Sequence, residues 1–250
     1  MIFMVDTHCH VFLSDYPDID DVIKRMDGNI IIVSGVDDSS NREVIRLCSR
    51  YDNVYGTLGI HPESVDDGYD LDFVRSHIND SHIVGVGEIG LDYHFTRDNR
   101  ERQIDLFCRQ IEIALEFNKP IVVHSRDAIS DTYDIIKRYN IGSMTDIHCF
   151  SGSLEMALEF VKLGCKLGIG GVLTFKNASR LKEVVSEIDI SNLLLETDSP
   201  YMSPEPFRGK RNEPYNVFYV ASEIARIKGL SVSDVLEITK RNSYSLFDFK

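Results

Sequence analysis

Residues 2–10 read Ile-Phe-Met-Val-Asp-Thr-His-Cys-His, an apolar run that closes on two histidines. The run has the composition of a buried strand from Ile2 to Asp6. Side chains alternate faces along a strand, so His8 and His10 point the same way. Two imidazoles on one side of a strand end can hold one divalent cation. An isolated His-x-His is as readily a pair of packed or surface histidines, so the rest of the chain has to decide. His61, Glu88, His124, His148 and Asp198 each follow a further apolar, strand-like run.

The intervals between these runs are helical. Gly28 stops a helix read over 19–26, and 29–33 is a wholly apolar, β-branched strand. Ser40 with Glu43 has capping-box spacing for a helix whose Val44, Leu47, Cys48 and Tyr51 follow helical periodicity. Further strands are read over 54–60, 83–88, 121–123, 144–147, 166–169 and 193–196. Helices fall around 71–78, 98–117 (Asp98 its cap), 129–139 and 154–163, with another marked by Leu181, Val184, Val185 and Ile188. In strand 83–88 the alternation puts Val84, Val86 and Glu88 on one face. A loop rich in Pro and basic residues, 204–214, precedes two last helices, the second opened by Ser231 with Asp234.

About eight strands alternate with helices over roughly 200 residues, which is the pattern of a (β/α)8 TIM barrel. No linker or low-complexity segment interrupts it, so 1–250 reads as a single domain. A doubly wound sheet gives no reason for polar residues at so many strand ends. A barrel does, because its C-terminal strand ends converge on one mouth.

Composition narrows the chemistry. The formal net charge is −13, so no general electrostatic footprint for duplex nucleic acid is expected. The 5 cysteines form no Cys-x-x-Cys pair and are read as core residues, Cys9 and Cys149 included. No signal-peptide pattern, membrane-length run or obligatory protein partner is legible, so a cytoplasmic enzyme is expected.

His8, His10, Glu88, His124, His148 and Asp198 exceed one tetrahedral site and suit two divalent ions. Such pairs sit roughly 3.5–4 Å apart, bridged by a carboxylate and a water. Glu88 is the expected bridge, and Asp198 the expected ligand and general base. Without thiolate ligands, Mg, Mn or Zn are the ions expected.

The motifs DTHCH, GIHP, GEIGLDYH, VVHSRDA, HCFSGS and ETDSPYMSPEPFRGKRNEP, in this order, resemble the TatD family of metal-dependent hydrolases in the amidohydrolase superfamily. The resemblance spans essentially the whole chain. It implies a barrel with a binuclear site and magnesium-dependent deoxyribonuclease activity, in some members trimming 3′ ends. It makes His8 and His10 ligands of one ion and His124 and His148 of the other, with Glu88 between them and Asp198 as ligand and base. It places His61 at the substrate phosphate. Ile89 and His94 depart from the usual Thr or Cys and Tyr or Phe, which touches substrate preference at the mouth.

DNA ends or short oligonucleotides are therefore the expected partners. In an acidic chain, phosphate needs local positive charge, supplied by Arg126 and by the Arg208-Gly209-Lys210-Arg211 loop, with Tyr93, Tyr201 and Phe207 able to stack a base. The same metal pair would also serve an ester, lactone or amide. A non-enzymatic barrel with a structural metal is the third reading; it requires a closed site, whereas Gly35, Gly59 and Gly170-Gly171 imply an open mouth.

Overall fold

In the computed structural model, residues 3–249 are described. Eight strands run in chain order: β1 (Val5–Cys9), β2 (Ile30–Ser34), β3 (Val54–Leu58), β4 (Ile83–Asp92), β5 (Ile121–Arg126), β6 (Thr145–Ile147), β7 (Lys166–Ile169) and β8 (Leu193–Leu195). Each pairs in parallel with the next. The last is stitched to the first: Thr7 Oγ1 donates to the Leu195 carbonyl at 3.1 Å, and the Asp198 amide to the His8 carbonyl at 3.0 Å. The ring is the expected (β/α)8 barrel. Of the predicted first strand, Ile2 lies outside the described residues, and the observed strand starts at Val5.

The helices between strands are α1 (Ile19–Lys24), α2 (Asp38–Arg50), α3 (Leu71–His77), α4 (Arg100–Phe117), α5 (Ile129–Tyr139), α6 (Leu154–Lys162) and α7 (Ser179–Glu187). Then α8 (Val217–Lys228) and α9 (Val232–Leu246) finish the chain. Among the described residues, no helix is long and apolar enough to cross a membrane.

Strand β2 shows why the strand runs are continuously apolar. Ile31 and Val33 join the large core between sheet and helices, while Ile30 and Ile32 join a smaller cluster inside the barrel. That inner cluster also holds Val5, Tyr55, Val84, Val122 and Leu194, with Phe247 packed against them. Beyond this apolar floor, the inward positions turn polar, and there the candidate site sits.

Several local expectations give way. Val84, Val86 and Glu88 do not share a face: Val84 lies inside the barrel and Val86 in the outer core. The register slips on both sides of β4, between Gly56 and Thr57 and between Val86 and Ile89, which breaks the two-residue period. The same outward turn buries Ile89 in the outer core, so of the two departures only His94 reaches the rim.

The cap of α2 is Asp37 rather than Ser40 with Glu43. Asp37 accepts from the Ser40 amide at 2.7 Å, while Glu43 accepts from the Leu13 amide. Helix α4 starts at Arg100 after Asn99, without side-chain capping by Asp98. Nor do the glycines hold the mouth open. A Cβ on Gly35 would stand 2.0 Å from Asn41 Oδ1, and one on Gly171 2.0 Å from the Met202 carbonyl, so these glycines permit close packing. Cys9 is buried as expected, but Cys149 is half-exposed.

Candidate metal centre

The ends of β1, β3, β4, β5, β6 and β8 bring seven predicted groups to one point. His8 and His10 do share a face, with their Nε2 atoms 3.1 Å apart. Glu88 Oε2 lies 3.3 Å from His8 Nε2 and 3.2 Å from His10 Nε2. Asp198 Oδ1 completes that side at 3.8 and 3.6 Å from the same two nitrogens. The other carboxylate oxygen, Glu88 Oε1, faces His124 Nδ1 at 2.9 Å, His148 Nε2 at 3.3 Å and His61 Nε2 at 3.6 Å. Glu88 thus divides the cluster into two halves, one oxygen to each.

The cluster opens on one side. His8 and Glu88 are sealed, while the side chains of His10, His124 and Asp198 keep 11%, 17% and 14% of their surface. A purely structural site would be closed by protein ligands. Glu88 is the residue common to two of the three donor groups, His8–Glu88–His148 and His61–Glu88–His124.

The electrostatics favour positive charge at the centre. Burial pushes the His8 imidazole well below its usual range, and His61 down to about 3. Burial opposes charge on His10 and His124 too, but Glu88, and for His124 also Asp92, outweigh it and lift them to about 9 and about 10. Glu88 is held well below the ordinary carboxylate range despite its burial, by His148, His8 and His61 around it. Burial pushes Asp198 up to about 6. Nitrogen and oxygen donors, aimed at one another around a buried carboxylate, fit divalent cations, whose charge would replace that of the imidazole protons.

A family model described as TatD related DNase matches residues 5–248. The chain belongs to the TatD family. It is similar to the uncharacterized metal-dependent hydrolase YabD of Bacillus subtilis (strain 168), 39% identical over 251 residues that cover 98% of each chain. The uncharacterized metal-dependent hydrolase YcfH of Escherichia coli (strain K12) is 35% identical over 254 residues, covering 98% of this chain and 96% of its own. Among solved structures, YjjV, a TatD homolog from Escherichia coli K12, superposes with a TM-score of 0.91 at 30% identity, over 99% of this chain and 98% of that one. This TatD chain is accordingly a metal-dependent hydrolase.

Behind the donors of this TatD site stands a set of groups that sequence reasoning passed over. Asp92 Oδ2 lies 2.9 Å from His124 Nε2, and Glu196 Oε1 3.4 Å from His148 Nδ1. Burial pushes Glu196 up to about 8, and its Oε1 accepts from the Cys149 amide at 2.7 Å. Ser34 backs the other two histidines, Oγ to His8 Nδ1 at 3.1 Å and carbonyl to His10 Nδ1 at 3.0 Å. Asp6 ties β1 to the end of β8, accepting from the Thr197 amide and hydroxyl. A signal existed: Asp6 and Asp92 lie two and four residues along β1 and β4 from His8 and Glu88, hence in phase with them, and Glu196 comes two residues before Asp198 just past β8. Carboxylates that back metal-binding imidazoles fix ring orientation and basicity. Asp92→Asn is expected to weaken metal binding about 10- to 100-fold with little change in melting temperature, as read by metal titration of stripped protein.

The Arg208–Arg211 stretch turns out to be divided in role. Arg211 pairs with Asp18 at 2.8 Å and lies over the Tyr16 ring. Its neighbour Asn212, fully buried, donates to the carbonyls of Thr197 at 3.0 Å and Tyr201 at 2.7 Å, bracketing Asp198. That half of the motif shapes the loop that carries Asp198. Asn212→Ala would leave two carbonyls without a donor, costing about 1–3 kcal/mol each where buried. A lower melting temperature is expected, together with a fall in kcat beyond what the folded fraction explains.

Arg208 and Lys210 are exposed and lean on the Phe175 and Phe207 rings, making no hydrogen bond or ion pair with the donor cluster. Arg126, at the end of β5 two residues after His124, makes no carboxylate ion pair among the described residues, although its charge reaches Asp92, and it sits over Phe95.

Proposed function

We propose that this chain hydrolyses phosphodiester bonds at single-stranded or frayed DNA ends, using two divalent cations held by His8, His10, Glu88, His124, His148 and Asp198. The observation that carries the reading is a solvent-accessible, two-sided donor cluster beside Arg126, a guanidinium that makes no carboxylate ion pair among the described residues. The family's description as TatD related DNase supports it.

When bound, the cation pair supplies acidification of water and neutralisation of charge on the phosphate. The remaining work falls to side chains. Asp198, whose side chain keeps 14% of its surface and whose Oδ1 stands 3.8 and 3.6 Å from His8 and His10 Nε2, is placed to accept the proton of the attacking water. His61 takes the Glu63 amide on Nδ1 at 3.2 Å, which leaves its Nε2–H pointing into the cluster. Held neutral by burial, His61 donates that hydrogen bond to a phosphoryl oxygen. Arg126 binds a phosphate next to the one being cut, and Arg208 with Lys210 adds charge further out.

With a net charge of −13, binding rests on these few contacts. Each phosphate neutralised on a single strand adds about 0.7 to the salt slope, so the total stays near 2 or below. Linear single-stranded DNA is expected to be trimmed with Mg or Mn present, with circular DNA resistant. Equal cleavage of both forms rejects end trimming. Turnover of an ester or lactone alongside inertness to every phosphodiester replaces the reading with a small-molecule hydrolase.

A further inference from the structure

Two largely exposed aromatic rings stand on opposite rims of the barrel mouth; Phe95 meets the His94 ring edge-on at 4.9 Å. Phe95, in the loop after β4, is 74% exposed, and Tyr201, in the loop after β8, is 58% exposed. In a ring of eight strands in chain order, the fourth and the eighth face each other across the axis, so the two rings flank the donor cluster. The other aromatic residues expected to stack a base are committed elsewhere. Tyr93 is buried, its hydroxyl donating to Asp131 at 2.7 Å, and Phe207 packs against Tyr219 with ring centroids 5.2 Å apart.

The two rims differ in charge. The Arg126 guanidinium lies 5.3 Å from the Phe95 ring centroid. The Tyr201 ring lies 6.4 Å from that of His10, and its electrostatic neighbours are the carboxylates of Asp15, Asp198, Glu63 and Glu88. The Phe95 rim also carries Asp127, 3.0 Å from His94 Nδ1, so what distinguishes it from the Tyr201 rim is the Arg126 guanidinium over the ring.

We propose that Phe95 and Tyr201 are stacking platforms for the two unpaired nucleobases on either side of the scissile phosphate, with Arg126 taking the next phosphate on the Phe95 side. This rests on the phosphodiesterase reading and gives its substrate a direction. Asp15 and Glu63, the carboxylates near Tyr201 that hold no cation, repel a phosphate, whereas a neutral base stacks there without that cost. The sugar-phosphate backbone therefore leaves the cluster over the Arg126 rim. Both platforms need an open base face, which an intact duplex hides and a frayed end presents.

The test uses the metal-loaded enzyme with Phe95→Ala and Tyr201→Ala, and linear single-stranded oligonucleotides that carry either a base or an abasic residue at each flanking position. Each variant is expected to raise KM for the normal oligonucleotide about tenfold, the scale of one lost base–aromatic stack, with kcat changed less than about twofold. On an oligonucleotide that is abasic at the matching position, the variant and the parent should be equal, because the same stack has been removed twice. Tyr201→Phe should keep the parent KM. If the parent cuts oligonucleotides and the variants match it on normal DNA, or if their loss persists on the abasic substrate, the platform assignment is overturned while the proposed function stands. If the parent cuts no phosphodiester at all, the proposed function falls first and this inference with it.

Discussion

Glu88→Ala is expected to abolish turnover while leaving the barrel intact. Among the described residues the Glu88 carboxylate pairs with five imidazoles, all of them in the site: His8 and His10 on one oxygen, His61, His124 and His148 on the other. Two dications about 3.5–4 Å apart repel strongly unless an anion lies between them, so at least one ion should leave. Losing several kcal/mol of charge stabilisation in the transition state, about 4, corresponds to about a thousandfold in kcat. The backbone contact that anchors this part of β4, the Glu88 amide to the Gly35 carbonyl at 2.7 Å, survives the substitution. Metal content per chain, kcat and a melting curve read the three claims separately. A variant that unfolds, while its remaining native fraction keeps both ions, would make Glu88 a structural residue instead.

Stripping the metal is expected to remove activity altogether and to lower stability. A cation present at about 100 times its Kd stabilises the folded chain by about 2.7 kcal/mol per site. For a chain of this size each kcal/mol moves the melting temperature by about 2–4 °C, so removal of one ion should lower it by about 5–10 °C. Adding back a divalent ion should restore both quantities together. Full activity in metal-free protein would sink the catalytic role of the site.

The barrel and the donor set were both readable from the linear chain, for one reason. Each strand of a parallel barrel is apolar on both faces up to its C-terminal end, where the inner face meets solvent. His8, His10, Glu88, His124, His148 and Asp198 are conspicuous because each ends or follows such a run. The His8–His10 pairing needed only strand alternation, and their 3.1 Å separation follows from it.

What rests on contacts between distant segments was not readable. The slipped registers around β4 turn Val86 and Ile89 outward, because the neighbouring strands fix how β4 pairs. Asp92 and Glu196 gain their meaning only from the imidazoles that β5 and β6 bring beside them. The RGKRNEP run looked like a patch of phosphate-binding charge. Folding spends Arg211 on Asp18 and Asn212 on the loop around Asp198, leaving Arg208 and Lys210 exposed. Similarly, Tyr93 and Phe207 pack while Phe95 and Tyr201 stay open. The sequence alone determined the alternation of elements and the kind of donor at each strand end, since both follow from local periodicity. Only the tertiary structure decided which charges are left unpaired and which rings unburied, because pairing and burial depend on neighbours far along the chain.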